Sequence, residues 1–153
     1  ILPRLVGDDG CALALQQRLE AAGLLSVAIR PPTVPEGAPA SETRSSLGMA
    51  AALGAFGSQS LGGEAQAPRP LVVLIGSAPT ALETLLDLVA AGSCPAPALV
   101  IGMPVGFVGV AESKRHLAES GLVNLRLEGP KGGAGLVAAA CNALLRRAWL
   151  EAV

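Results

Sequence analysis

The spacing of apolar residues predicts strands and helices that alternate through most of the chain. Residues 71–75 (LVVLI) form a continuous apolar run, which is typical of a strand covered on both faces. After it, leucine and valine recur at positions 82, 85, 86 and 89, the spacing of one buried helical stripe. The same pattern then predicts, in chain order, a strand over 98–101, a helix over 111–119, a strand over 123–127 and a helix over 136–150. This alternation predicts an α/β fold of three layers (αβα) with a mainly parallel sheet.

The first forty residues predict a β-α-β unit that opens this fold. In order, they contain an apolar run over 1–7, a helical pattern capped by Asp8 or Asp9 and stopped by Gly23, and a strand over 26–29. Four prolines and a glycine over residues 31–40 indicate an irregular connector. We therefore expect a segment 1–40 and an α/β domain 41–153, either separate or merged into one domain.

Two serines mark the predicted starts of helices. Ser41 can cap a helix over about residues 42–55, and residues 57–70 are polar and glycine-rich, as in a surface loop. Ser77 can cap the helix that follows residues 76–79, because a proline stands there in the first turn.

Three glycine-rich turns, at about residues 76–79, 102–109 and 129–135, each follow a predicted strand and precede a helix. In parallel sheets, ligands bind beyond the carboxyl ends of the strands, and helix N-termini offer N–H groups to anions. The turns therefore predict a rim for carboxylates or phosphates, although glycines can also serve only to permit tight turns. Residues 133–138 fit a GxGxxA pattern, but no later strand supplies the ribose-binding acid, which argues against dinucleotide binding.

Composition excludes several classes of protein. Apolar residues make up 51% of the chain and charged residues 15%, which excludes intrinsic disorder. A net charge of -1 without basic runs argues against nucleic-acid binding, and the longest uncharged stretch is broken by prolines, which argues against a membrane span. Cys11, Cys94 and Cys141 are widely spaced, so they predict reduced thiols in a cytoplasmic protein rather than a disulfide framework or a metal site.

Few side chains offer chemistry by themselves. His116 is the single histidine, and without cysteine or histidine partners it predicts a surface residue rather than a catalytic or metal-binding one. Arg44 and Lys131 can pair with carboxylates or remain solvated charges. Glu112 and the two residues after it can bond a ligand or simply cap a helix.

Five motifs together resemble the precorrin-8X methylmutase family over about residues 41–153. They are TRS at 43–45, IGSAPTAL at 75–82, IGMPVGFVG at 101–109, AESK at 111–114 and GPKGG at 129–133. The resemblance implies a three-layer α/β homodimer of cobalamin biosynthesis, an isomerase that needs no cofactor. Such an enzyme moves a methyl group between neighbouring ring carbons of a tetrapyrrole to give hydrogenobyrinate or its cobalt analogue.

The resemblance also implies which residues bind this polycarboxylate substrate. They are Thr43, Arg44, Ser45, Gly76, Ser77, Ala78, Thr80, Gly106, Phe107, Val108, Glu112, Ser113, Lys114 and Lys131. No catalytic residue is assigned. The family's acid is a histidine in an N-terminal Arg-x-x-His-x-Thr-Gly-like motif, which does not occur in this sequence.

Residues 1–37 instead are similar to the C-terminal domain of 8-amino-7-oxononanoate synthase, a pyridoxal-phosphate enzyme. The similarity rests on VGDD at 6–9, ALAL at 12–15 and AIRPPTVPEG at 28–37, and it implies a substrate contact at Thr33. The Schiff-base lysine and the cofactor domain of that family are absent from the sequence. Because the methylmutase family's histidine motif is missing, the alternative to an isomerase is a non-catalytic tetrapyrrole-binding remnant or an inactive chimera.

Overall fold

The computed structural model describes residues 4–7, 26–28, 33–39, 42–59 and 70–151. In chain order they form β1 (Arg4–Gly7), β2 (Ser26–Ala28), α1 (Arg44–Gln59), β3 (Leu71–Ile75), α2 (Pro79–Ala90), β4 (Leu99–Gly102), α3 (Val110–Glu119), β5 (Asn124–Arg126) and α4 (Ala134–Glu151). The helix predicted between β1 and β2 lies outside the described residues. From β3 onward the predicted alternation is confirmed, with strand ends that differ by at most one residue and helix ends that differ by at most two.

The described strands form one sheet in the order β2-β1-β3-β4-β5, and every pairing is parallel. Ile75 pairs with Gly102, and Gly102 pairs with Arg126, so these strands end side by side. The predicted α/β fold with a parallel sheet is confirmed. Because β1 pairs with β3, the leading segment and the rest of the chain share this sheet.

Helices cover both faces of the sheet, as an αβα architecture requires. On one face, β3 and β4 pack with α1, α2 and α3, and this core includes Met49, Val73, Leu82, Val100 and Leu117. On the other face, Leu74 and Ile101 pack with Val137 and Cys141 of α4. The alternate burial follows from the pleat of a strand, which directs successive side chains to opposite faces.

The structure corrects the predicted limits of α1. The helix begins at Arg44, because the Thr43 hydroxyl accepts the Ser46 N–H at 3.1 Å and the Ser46 hydroxyl accepts the Thr43 N–H at 2.9 Å. This reciprocal arrangement is a capping box, whereas Ser41 lies outside the described residues. The helix runs to Gln59, so the first residues of the predicted loop 57–70 are helical.

Ala78, not Ser77, occupies the N-cap of α2. Pro79 stands at the first helical position, and no side chain caps the helix. The missing N–H of proline is one that a helix start leaves unbonded in any case. The prediction of Ser77 as the cap is therefore wrong, because the proline sets the boundary. No helix within the described ranges is long and apolar enough to cross a membrane.

Candidate functional site

Three turns follow the carboxyl ends of β3, β4 and β5 at one edge of the sheet. We call residues 76–78 the first turn, residues 103–109 the second turn and residues 127–133 the third turn, and together they form the rim. Their placement follows from the parallel sheet, in which all strands end at the same edge.

Backbone hydrogen bonds join the turns to one another and to the sheet. The Met103 N–H donates to Ile75 O at 2.8 Å, and the Gly133 N–H donates to Met103 O at 2.8 Å. The Gly106 N–H donates to Pro130 O at 3.2 Å. The second turn thus lies between the first and the third, and the turns converge into one surface.

Two glycines permit this convergence because a side chain would meet backbone. A Cβ atom on Gly76 would lie 2.6 Å from the Cα of Ala134, and one on Gly132 would lie 2.1 Å from Met103 O. Gly76 thus lets the first turn contact the start of α4, and Gly132 lets the second and third turns contact each other. These glycines do more than permit tight turns.

Each described helix begins at this edge. The hydroxyls of Thr43 and Thr80 lie 2.8 Å apart, which brings the start of α1 beside the start of α2. Neither α2 nor α3 has a side chain that caps its first turn. Because a helix N-terminus carries a partial positive charge, the rim is favourable for anions.

Two large apolar residues, the most exposed of their kind in the described ranges, form the crest of the second turn. Phe107 is 95% exposed and Val108 is 89% exposed. Gly106 and Gly109 flank them with positive φ angles of 136° and 70°, conformations that favour glycine. An apolar crest therefore stands beside the anion-favouring edge.

Lys114 and Ser113, both predicted to bind substrate, are buried below the rim. The Lys114 ammonium donates to Gly129 O at 2.8 Å and to Lys131 O. The Ser113 hydroxyl donates to Val110 O at 3.0 Å, within α3. Glu112 is exposed and forms a hydrogen bond with Arg115 on the same helix.

The other predicted residues lie along the rim or next to it. Arg44, Ser77 and Lys131 are exposed, whereas Ser45 and Ala78 are partly buried. Thr43, Thr80, Gly76 and Gly106 are brought into the connected set of turns and helix starts. That these residues bind substrate stays a prediction.

Arg126 belongs to this region, and the sequence reasoning missed it. It is the last residue of β5, and its guanidinium donates to Asn124 Oδ1 at 2.8 Å and lies 3.0 Å from Glu128 Oε1. Its Nε atom is buried without a hydrogen-bond partner. Its place at the end of a predicted strand was the signal that could have indicated it.

His116 lies partway along α3 and joins it to α2. Its Nδ1 atom lies 2.9 Å from Glu83 Oε1. The hydrogen bond and the charge of Glu83 raise the pKa of His116, assisted by Glu112 and opposed by desolvation and Arg115. The histidine has a structural partner, in agreement with the surface residue that the sequence favoured.

This ion pair predicts a pH-dependent contribution to stability. Because the folded pKa is raised, the contribution is fully present below the unfolded pKa of about 6.5 and is lost as pH rises through the folded pKa. We expect the melting temperature of wild type to exceed that of His116→Gln at pH 5.5, and the difference to shrink by pH 8.5. Glu83→Gln should behave as His116→Gln does. A difference that is constant with pH would contradict the pairing.

The buried thiols fit neither a metal site nor a reactive nucleophile. Burial raises the pKa of Cys94, and it raises the pKa of Cys141 to about 11. Both cysteines are free. Among the described residues, no group of three or more histidine, cysteine or acidic side chains could hold a metal ion.

The fold and the rim define a three-layer α/β protein whose turns converge at one edge of the sheet. A family model described as Precorrin-8X methylmutase matches residues 12–147, which is more than half of the chain. The chain belongs to the precorrin-8X methylmutase family.

Curated relatives and a solved structure agree with this assignment. The chain is 52% identical over 87 residues to the cobalt-precorrin-8 methylmutase of Synechocystis, covering 57% of this chain and 39% of that protein. It is 53% identical over 75 residues to the precorrin-8X methylmutase of Pseudomonas aeruginosa, covering 48% of this chain and 36% of that protein. The chain thus spans less than half the length of either relative.

A crystal structure of precorrin-8x methyl mutase from Thermus thermophilus has a similar fold, with a TM-score of 0.71 and 35% identity. The match covers 99% of this chain and 69% of that chain. A second similarity concerns a short stretch: 37 residues are 68% identical to a putative 8-amino-7-oxononanoate synthase of Bordetella parapertussis, covering 24% of this chain and 9% of that protein. Both resemblances seen in the sequence are confirmed, although the methylmutase match begins at residue 12 and not at about residue 41.

Proposed function

We propose that this chain binds a polycarboxylate tetrapyrrole at the rim and catalyses methyl migration on it, as a precorrin-8X methylmutase of cobalamin biosynthesis. The product would be hydrogenobyrinate or its cobalt analogue. The observation that carries the proposal is the convergence of the three turns beside four helix starts. The reaction is an isomerisation within one molecule, so it needs no second substrate.

The chemistry of the rim suits the two kinds of surface on such a ligand. A tetrapyrrole macrocycle has apolar faces and a border of carboxylates. Phe107 and Val108 offer apolar area, while Arg44, Lys131 and the helix N-termini offer positive charge and N–H groups to carboxylates. Apolar and charged recognition together would orient the ring.

Binding without turnover is the second candidate, and the position of His116 favours it. Methyl migration in the family is thought to be assisted by protonation from a histidine, and this sequence has a single histidine. His116 follows the start of α3 by six residues, which is about 9 Å along a helix, and it is paired with Glu83. His116 is therefore hydrogen-bonded to Glu83 at a distance from the rim.

Two assays separate these candidates. Titration with hydrogenobyrinic acid, followed by absorbance, should show saturable binding. Incubation with precorrin-8, made by the preceding pathway enzymes, should then change the spectrum to that of the product if the chain is an isomerase. Binding without that change supports the second candidate, and no binding rejects both.

Arg44→Ala tests whether a rim cation contacts the ligand. A hydrogen bond to a charged group contributes about 1.5–3 kcal/mol, so we expect affinity for hydrogenobyrinic acid to fall about tenfold to a hundredfold. Arg146→Ala is the matched control, because Arg146 is exposed in the second half of α4, far along the helix from the rim. Equal affinities of the two variants would contradict the contact.

We further propose a homodimer in the cytoplasm. At the β5 end of the described sheet, Val123 is 67% exposed, Leu125 is 40% exposed and Leu127 is 37% exposed, and apolar patches of this kind often mark interfaces. The free, buried thiols of Cys94 and Cys141 suit a reducing compartment. Sedimentation equilibrium measures the mass in solution, and a monomer at all concentrations would reject the dimer.

A further inference from the structure

Lys114 is a buried cation whose ammonium group donates hydrogen bonds to backbone carbonyls. The residue is 1% exposed, and its ammonium donates to Gly129 O and Lys131 O. Burial lowers the pKa of Lys114, an effect that the Glu128 carboxylate opposes. Burying an ammonium is costly unless hydrogen bonds compensate, so these two contacts are required by its position.

The two carbonyls belong to the third turn and lie on either side of Pro130. Pro130 O in turn accepts the Gly106 N–H of the second turn, and the Gly133 N–H donates to Met103 O. Lys114 therefore connects α3 to the segment through which the second and third turns are joined. These hydrogen bonds are long-range contacts, because Lys114 is 15 residues from Gly129 and 17 residues from Lys131 in the sequence.

We propose that Lys114 is a positioning residue that fixes the third turn, so that the Lys131 side chain and the start of α4 face the ligand. This inference rests on the proposed function as far as the ligand is concerned. It differs from a direct substrate contact, because the Lys114 side chain is buried and points to carbonyls of the protein.

Amide hydrogen exchange tests the positioning without any ligand. In Lys114→Met, exchange at the Gly106 and Gly133 amides should accelerate by about tenfold or more, because both amides join the second turn to the third turn, which loses its attachment to α3. Arg115→Met is the matched control: it removes the same charge from the next residue, which is exposed and pairs only with Glu112 and Glu119 among the described ion pairs. Equal exchange in the two variants would overturn the proposal.

Two further variants test the proposal if Lys114→Met does not fold. Lys114→Gln keeps an amide NH2 group as donor and carries no charge, and it should show the same acceleration to a smaller extent. Lys114→Arg retains charged donors and should restore most of the protection. Exchange in Lys114→Arg as slow as in wild type agrees with positioning, whereas wild-type exchange in Lys114→Gln or Lys114→Met contradicts it.

Binding of hydrogenobyrinic acid tests whether Lys114 affects the ligand through Lys131. Lys114→Met and Lys131→Met should each weaken binding, and the double variant should be no weaker than the weaker single variant, because both act through Lys131. Additive losses would indicate an independent contact by Lys114 and overturn the proposal. If wild type fails to bind, the proposed function is wrong, while hydrogen exchange still decides the role of Lys114.

Discussion

Replacing Leu117 with alanine is expected to lower the free energy of unfolding by about 2–5 kcal/mol, the range for a buried leucine. Leu117 is 0% exposed and lies in the core that α1, α2 and α3 form with the sheet. Its truncation leaves a cavity between α3 and β4. Urea denaturation with an unchanged m-value measures the loss, and Leu144→Ala on α4, where the side chain is 46% exposed, should cost far less.

A substitution at Gly102 is expected to fill part of the cavity that Leu117→Ala leaves. A Cβ atom on Gly102 would lie 2.6 Å from Leu117 Cδ2, so Gly102→Ala alone should cost about 1–3 kcal/mol through overpacking. In the Leu117→Ala background the new methyl has room, so the double variant should be more stable than the sum of the two losses predicts. Strict additivity would show that α3 does not pack on β4 as described.

Replacing Gly132 with alanine should separate the second and third turns. The new Cβ atom would lie 2.1 Å from Met103 O and 2.7 Å from Pro104 O, and backbone cannot yield as a flexible side chain can. We expect a loss of about 1–3 kcal/mol of stability or more. Hydrogen exchange at the Gly133 amide, which donates to Met103 O, should also accelerate.

Gly135→Ala is the control for this substitution. Gly135 lies three residues along the chain in the first turn of α4, and nothing lies within 4 Å of a Cβ atom placed there. Alanine is better than glycine in a helix by about 0.5–1 kcal/mol, so this variant should be slightly more stable than wild type. Equal destabilisation by both alanines would contradict the close contact at Gly132.

Local sequence signals correctly predicted the elements that are defined by apolar periodicity and by glycines at their ends. The apolar run over Leu71–Ile75 is a strand buried on both faces, and Gly121, with a φ angle of 75°, follows the end of α3. Helix starts were less predictable where two capping signals compete. At α2 the proline set the boundary and the neighbouring serine did not cap the helix.

The candidate site was predictable in its location but not in its contacts. Parallel topology placed the glycine-rich turns at one edge, whereas the hydrogen bonds between them join residues far apart in sequence. The burial of Lys114 did have a signal: it lies four residues after Val110 and three before Leu117, on the buried stripe of α3. A charged residue on such a stripe indicates a structural partner.

The order of the strands has a consequence for the leading segment of the chain. β1 is flanked by β2 and β3 instead of lying at a border of the described sheet. Cutting the chain at residue 40 would strip Leu71–Ile75 of a ladder neighbour and leave an apolar strand open to self-association. Residues 41–153 are therefore not expected to fold stably as an excised fragment.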